Sequence, residues 1–261
     1  MQINQFNLIE FSEIGSTNEK AVELAEESAP AWTVVFARKQ TRGKGRYQRV
    51  WESPADLGLW FSVILRPEIA VNQLNLINLV TALSIRDFVL GQLQNQIKTY
   101  WPSRVKLKWP NDVLVQGKKI CGILLESSIR KNKIFHLVVG IGLNLNQKKD
   151  DFSADIRPSA TSLKLLTGLS YDLNNSLEEF LSLYYRRINQ ALESGFSKVV
   201  NSYQTNMLYL GEPVRLDLGE KKIKGIVEGL DERGYLILTV NGTQKIISAG
   251  DLWQINEKNK I

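Results

Sequence analysis

Short runs rich in apolar residues fill much of the first 145 residues, and three of them, "FNLIEF" (6–11), "WTVVFA" (32–37) and "LGLWFSVIL" (57–65), read as strands. Between the first two, "NEKAVELAEES" (18–28) has helical spacing, and Ser16 followed by Glu19 matches a capping box at its start. The stretch "LNLINLVTALSIRDFVLGQL" (74–93) is apolar on every side, which predicts a buried helix. From Val105 to Asn144 the period returns to two, with "VKLKW", "DVLV", "KICGILLES" and "KIFHLVVGIGLN" as successive strands and Gly117 and "RKNK" as their turns.

Residues 145–160 are polar and loop-like. From Ser176, Leu177, Phe180, Leu181, Tyr184 and Ile188 recur at helical spacing, so a long helix is expected to cover the sheet. After Leu210 short alternating segments are divided by Gly219-Glu220, Glu232-Arg233-Gly234 and Asn241-Gly242. The pattern predicts an α+β protein with a mixed, mostly antiparallel sheet over residues 1–208, followed by a small β-barrel over 209–261.

Composition narrows the chemistry. The 261 residues include one cysteine and one histidine, which excludes an internal disulfide framework and a cluster of Cys and His metal ligands. No protein-built metal site is therefore expected. A Ser-His-Asp triad would have to use His136, which sits in the apolar run "IFHLVVGIG" and reads as a packed strand residue; Cys121 reads as a small apolar filler. Apolar runs such as "LWFSVIL" are too short for a bilayer and no signal pattern opens the chain, so a cytoplasmic protein without a membrane partner is expected. The net charge of +6 is modest, but residues 38–49, "RKQTRGKGRYQR", hold six basic residues and no acidic one. An anion is expected there.

In that loop Gly43 and Gly45 allow close backbone approach to a ligand, while Lys44, Arg46 and Arg49 supply charge. A solvated turn would have the same composition, but Trp51 at its end is a large aromatic that such a turn does not require. Ser16, Thr17 and Asn18 fit a helix start and equally fit hydrogen bonding to a neutral polar head. "KWPNDV" (108–113) is either a structural turn, with Asn111 and Asp112 bonding their own backbone, or part of a site that also uses Lys108 and Lys119.

Taken in order, "GSTN", "KQTRGKGR", "KWPNDV", "KKICGIL" and "GIGLNLN" resemble the biotin protein ligases, over roughly residues 10–165, and "GLDERGYLIL" resembles their C-terminal Src-homology-3-like domain. The resemblance implies a fold related to class II aminoacyl-tRNA synthetases. It also implies activation of biotin by ATP and Mg²⁺ to biotinyl-5′-AMP and transfer to a lysine of a biotin carboxyl carrier protein. By the same resemblance Ser16, Thr17, Asn18 and Gln40 contact the biotin ureido head and Gly122 lines the pocket. Gly43, Lys44 and Gly45 approach the substrate. Arg46 and Lys119 stand near the biotin carboxylate and α-phosphate, and Trp51 stands beside the adenine. Arg49, Lys108, Asn111 and Asn144 face the nucleotide. Asp112 is the carboxylate placed to take a proton from the attacking lysine. The family's commoner loop is Gly-Arg-Gly-Arg followed by Arg-Gly-Arg. Here Lys44 replaces an arginine, which keeps the charge and loses the bidentate fork, and Tyr47-Gln48 interrupts the continuation.

The chain opens at the first catalytic strand, so a monofunctional ligase without a DNA partner is expected, with a homodimer as a family option. A lipoate ligase is the nearest rival. Its pocket must hold an apolar dithiolane, and the polar Ser-Thr-Asn segment and Gln40 favour biotin instead. A single-strand nucleic-acid module using the basic loop and barrel is a third reading, one that leaves "KWPND" without a role.

Overall fold

The computed structural model describes residues 5–95, 101–219 and 221–255. In chain order the elements are β1 (Asn7–Phe11), α1 (Thr17–Glu26), β2 (Thr33–Ala37), β3 (Gly58–Leu65), α2 (Leu74–Gln94), β4 (Val105–Lys108), β5 (Asp112–Val115), β6 (Lys118–Arg130) and β7 (Lys133–Asn144). They are followed by α3 (Leu163–Thr167), α4 (Leu173–Ser194), α5 (Ser197–Thr205), β8 (Pro213–Leu218), β9 (Lys221–Leu230), β10 (Leu236–Val240), β11 (Thr243–Ile247) and β12 (Asp251–Gln254).

The first seven strands form one sheet in the order β1-β2-β3-β7-β6-β5-β4. β1 and β2 are parallel, because α1 carries the chain back between them, and every other pair is antiparallel. Between β5 and β6 the chain reverses through Gln116 (φ 51°) and Gly117 (φ 78°), two left-handed positions in succession as a two-residue hairpin requires.

Period-two alternation divides the sheet between two cores. Val34 and Phe36 face the large core, whereas Val35 between them joins Ile64 and Val138 under Ala21 and Ala25 of α1. α2 and α4 lie in the large core, and the expected stripe of α4, from Leu177 to Ile188, is buried there. α2 with its lead-in, Val71–Gln94, is long and apolar enough to cross a membrane, against the expectation from the apolar runs. Its apolar window is 78% buried inside this protein, which explains apolarity on all sides as the mark of a central core helix.

The last five strands form a second antiparallel sheet, order β11-β10-β9-β8-β12. A closed barrel was expected. Among the described residues its end strands, β11 and β12, do not pair with each other, and Glu220 of the expected Gly-Glu turn lies outside the described residues. Asn75 Nδ2 and Trp109 Nε1 both donate to the Gly234 carbonyl, at 2.5 and 3.1 Å, and so tie this sheet to the start of α2 and to the β4–β5 turn. The tie brings β12 beside the basic loop.

Candidate functional site

Strand register creates a floor without side chains. Ser62, Gly140 and Leu124 are level across β3, β7 and β6, and two residues further along, Trp60, Gly142, Gly122 and Asp112 are level across β3, β7, β6 and β5. A Cβ at Gly140 would overlap the Asn18 amide, and one at Gly142 would overlap the Trp51 indole. At Gly122 it would come within 2.9 Å of the Trp51 ring. The three glycines thus make room for two side chains delivered by α1 and the basic loop. Above this floor lies a cavity of ≈ 250 Å³.

The N-terminus of α1 supplies one wall. Ser16 is its N-cap residue but makes no capping bond, so the expected capping box does not form; Glu19 turns instead to Lys44 (2.9 Å) and Arg42 (3.6 Å). The hydrogen bond and charge of Lys44 hold the Glu19 carboxyl below its usual range. Gln40 does the capping: its Oε1 accepts from the Thr17 N–H (2.8 Å) and lies 3.0 Å from Thr17 Oγ1, while its Nε2 donates to Ser53 Oγ (2.8 Å). Asn18 Nδ2 donates to Glu126 Oε2 at 2.8 Å, and Ser62 Oγ lies 2.8 Å from Thr17 Oγ1 and 2.6 Å from Asn18 Oδ1. This wall is neutral where it meets the cavity, buried, and wired to the sheet beneath.

The opposite side is cationic, and a bulge aims its central residue. The β5–β6 register shifts between Val113 and Leu114, leaving Ile120 as an extra residue. Strict alternation would put Lys119 on the face of Cys121, which is fully buried in the core, and burial pushes that thiol's pKa up. The bulge turns Lys119 to the other face, its Nζ within 3.3 Å of where a Gly122 Cβ would stand and 5.1 Å from the Trp51 ring centre. Lys119 pairs with Asp112 at 2.7 Å. Arg46 Nη1 reaches Asp251 (3.0 Å), the Gly250 carbonyl (3.1 Å) and Asn111 Oδ1 (3.3 Å), and Arg49 reaches the other Asp251 oxygen at 2.6 Å. The loop that carries them passes through Tyr47 (φ 54°) and Gln48 (φ 60°), so left-handed backbone falls on a glutamine where the commoner loop has glycine.

Of the residues expected to form a site, Ser16, Thr17, Asn18, Gln40, Lys44, Gly45, Arg46, Arg49, Trp51, Asn111, Asp112, Lys119, Gly122 and Asn144 all line this one cavity. Two do not. Gly43 is buried against the Trp51 carbonyl and Ser53, so its missing side chain serves the loop's own packing rather than a ligand. Lys108 points over the Trp253 ring at 4.3 Å, where burial pushes its ammonium below the ordinary lysine value against the pull of Asp112 and Asp251. Asn111 is no self-bonded turn: its Nδ2 donates to the Ile123 carbonyl at 2.8 Å. Asn144 spends its amide on the Thr161 carbonyl (3.0 Å) and on Gln147 (2.9 Å).

Sequence reasoning missed Ser62, Gly140, Gly142, Gln147 and Asp251. Ser62 carried a signal, as the one polar residue inside "LWFSVIL"; Asp251 carried none. Ser16 Oγ, Trp51 Nε1 and Gln147 Oε1 are buried, line the cavity and have no hydrogen-bond partner. Buried polar atoms are nearly always paired, so these three unpaired groups around one cavity are available to a ligand.

A family model described as the biotin/lipoate A/B protein ligase family matches residues 11–144, and one for the biotin protein ligase C terminal domain matches residues 209–252. The biotin--[acetyl-CoA-carboxylase] ligase of Paracoccus denitrificans is 34% identical over 242 residues, covering 91% of this chain and 96% of that protein. The bifunctional ligase/repressor BirA of Bacillus spizizenii is 35% identical over 237 residues, covering 90% of this chain and 70% of that one. Among solved structures, the biotin protein ligase from Aquifex aeolicus in complex with biotin and ATP superposes with a TM-score of 0.77 at 34% identity, covering 95% of this chain and 97% of that one.

Proposed function

This chain belongs to the biotin/lipoate A/B protein ligase family and acts as a biotin protein ligase, and we propose that it works in two steps. Biotin is first joined to ATP as biotinyl-5′-AMP with release of pyrophosphate, and the biotinyl group then passes to a lysine of a biotin carboxyl carrier domain. The observation that carries this reading is the single cavity in which a neutral hydrogen-bonding wall faces a set of ion-paired cations, with orphaned polar atoms between them. A ureido head suits the first wall and a carboxylate meeting a phosphate suits the second.

The biotin carboxylate is ionised near neutral pH and needs no base to attack. What it must overcome is repulsion by the α-phosphate. Lys119 and Arg46 bring positive charge to that meeting point and favour the transition state, in which charge moves onto the departing pyrophosphate. Trp51, above Gly142 and Gly122, offers its face and an unpaired Nε1 to the adenine side. As Lys119 is drawn toward phosphate, its partner Asp112 is released to accept a proton from the carrier's amine. Asp112 and Asp251 are committed to cations, and no cluster of three candidate metal ligands stands among the described residues. In this reading Mg²⁺ arrives with the ATP phosphates, and no step here depends on it. The same reading makes residues 1–208 the catalytic unit and 209–261 a second unit, in a cytoplasmic protein.

ATP–pyrophosphate exchange with biotin, lipoate or no acid tests the first step. Biotin-dependent exchange is expected, falling about a hundredfold or more in Lys119→Ala. Lipoate-dependent exchange would replace the substrate, and no exchange with either acid would remove the adenylation chemistry. Asp112→Asn is expected to slow transfer from preformed biotinyl-adenylate; unchanged transfer would take the proton-accepting role from Asp112.

A further inference from the structure

Four oxygens stand in a row beneath the neutral wall: Gln40 Oε1, Thr17 Oγ1, Ser62 Oγ and Asn18 Oδ1, separated by 3.0, 2.8 and 2.6 Å. Both ends of the row are locked as acceptors. Gln40 must turn its oxygen inward, because Oε1 takes the Thr17 N–H and Nε2 donates to Ser53, whose own proton goes to the Trp51 carbonyl. Asn18 must do the same, because its Nδ2 faces the Glu126 carboxylate and, at 3.5 Å, the Leu124 carbonyl, which are both acceptors. Only Thr17 and Ser62 bring hydroxyl protons, one each. Three separations thus share two protons, and whichever way the hydroxyls turn, one pair of oxygens faces each other with lone pairs only.

We propose that Glu126 is a positioning residue for specificity: by locking Asn18 as an acceptor at the end of this row it keeps the wall short of a donor, so that the wall selects a ligand carrying N–H groups. The inference rests on the biotin reading and deepens it: a ureido ring offers two N–H donors, and a dithiolane offers none. Ser62 is fully buried and acts through Thr17 and Asn18. Glu126 sets the polarity: of the two acceptors that face the Asn18 Nδ2 its carboxylate is the nearer, at 2.8 Å against 3.5 Å for the Leu124 carbonyl, so it does most to make the amide present oxygen to Ser62. Gly140 is what admits that amide to the space between β3 and β6.

The row also predicts how to cancel the preference. In Ser62→Ala one oxygen and one proton leave together; Thr17 still satisfies Gln40, but Asn18 Oδ1 loses its donor, so the wall stays short of a proton. In Glu126→Ala the Asn18 amide is free to turn and donate to Ser62, which fills all three separations. Only Glu126→Ala restores the balance, and neither variant adds bulk, so Ser62→Ala serves as its control.

The test is titration calorimetry of the wild type, Ser62→Ala and Glu126→Ala with biotin and with the two cyclic carbamates in which one ureido N–H is replaced by oxygen. For at least one carbamate, the wild type is expected to lose about a hundredfold in affinity, the scale seen when a polar site loses a donor it was built to bind. In Glu126→Ala that ratio is expected to shrink to a few-fold, whereas in Ser62→Ala, where Asn18 Oδ1 still lacks a donor, it is expected to stay as large or to grow. A merely structural role for Glu126 would weaken biotin and carbamates alike and leave the ratio unchanged in Glu126→Ala, and that result overturns the inference, as does a ratio that collapses in Ser62→Ala. Equal binding of biotin and carbamates by the wild type also overturns it while leaving the ligase reading intact, whereas absence of biotin binding by the wild type overturns both. Glu126 is on the strand rim and half-buried, so its variant keeps the test open if Ser62→Ala fails to fold.

Discussion

The two sides of the cavity are built on opposite plans. On the neutral side every group except Ser16 Oγ is tied to another neutral group or to Glu126, and the whole rests on the sheet. On the cationic side Lys119, Arg46 and Arg49 are held by carboxylates, Asp112 from a neighbouring strand and Asp251 from the second sheet. The first side is preformed and rigid. The second is satisfied internally, so an entering anion has to exchange one partner for another. A ligand that first settles on the neutral side would then bring its own charge to cations already in reach.

The sharpest way to break this contrast is to disturb the rigid side. Gly140→Ala would push a methyl group into the Asn18 amide, which Glu126 and Ser62 hold in place by hydrogen bonds. The expected result is loss of detectable biotin binding by calorimetry, with a fall in stability of about 1–3 kcal/mol from overpacking. Unaltered binding would mean that the Asn18 position is not needed by the neutral side. Gly142→Ala meets the Trp51 indole instead and is the natural comparison.

A smaller effect is expected on the exchangeable side. Asp251→Asn removes the shared partner of Arg46 and Arg49 while Arg46 keeps the Gly250 carbonyl and Asn111. Partly exposed ion pairs each contribute about 1 kcal/mol or less, so limited tryptic cleavage within residues 42–49 should quicken by roughly several-fold. An unchanged cleavage rate would show that Asp251 does not restrain the loop.

The same contrast explains what the sequence could reveal. Strands, hairpin and helices were legible because alternation and the Gln116-Gly117 turn are local, and the central burial of α2 followed from apolarity on every face. The capping box at Ser16 and Glu19 was misread because partner choice is tertiary: Gln40 and Lys44 outcompete the local pairing. The cationic residues announced themselves by composition, but the carboxylate that holds two of them comes from β12, with no nearby signal. Strand closure of the C-terminal unit was likewise invisible, because a run of short alternating segments fits an open sheet and a barrel equally.

The gentlest probe acts through the far end of α1, where His136 of β7 is buried with Nδ1 unpaired and 3.7 Å from Glu26 Oε1. Burial lowers its pKa; Glu26 opposes that shift, and Arg66 and Arg130 add to it. The folded protein therefore releases this proton at a lower pH than the unfolded chain does. As pH falls below the unfolded value of about 6.5, the unfolded chain takes up the proton first and stability declines, until the folded pKa is passed and the loss is complete. Thermal unfolding midpoints should accordingly drop between pH 7 and pH 5 by more in the wild type than in His136→Gln. Because α1 carries Thr17 and Asn18 at its other end, biotin affinity should weaken over the same range in the wild type and less in the variant. Parallel pH profiles for the two proteins would sever α1's base from the neutral wall and leave that wall's rigidity to the sheet alone.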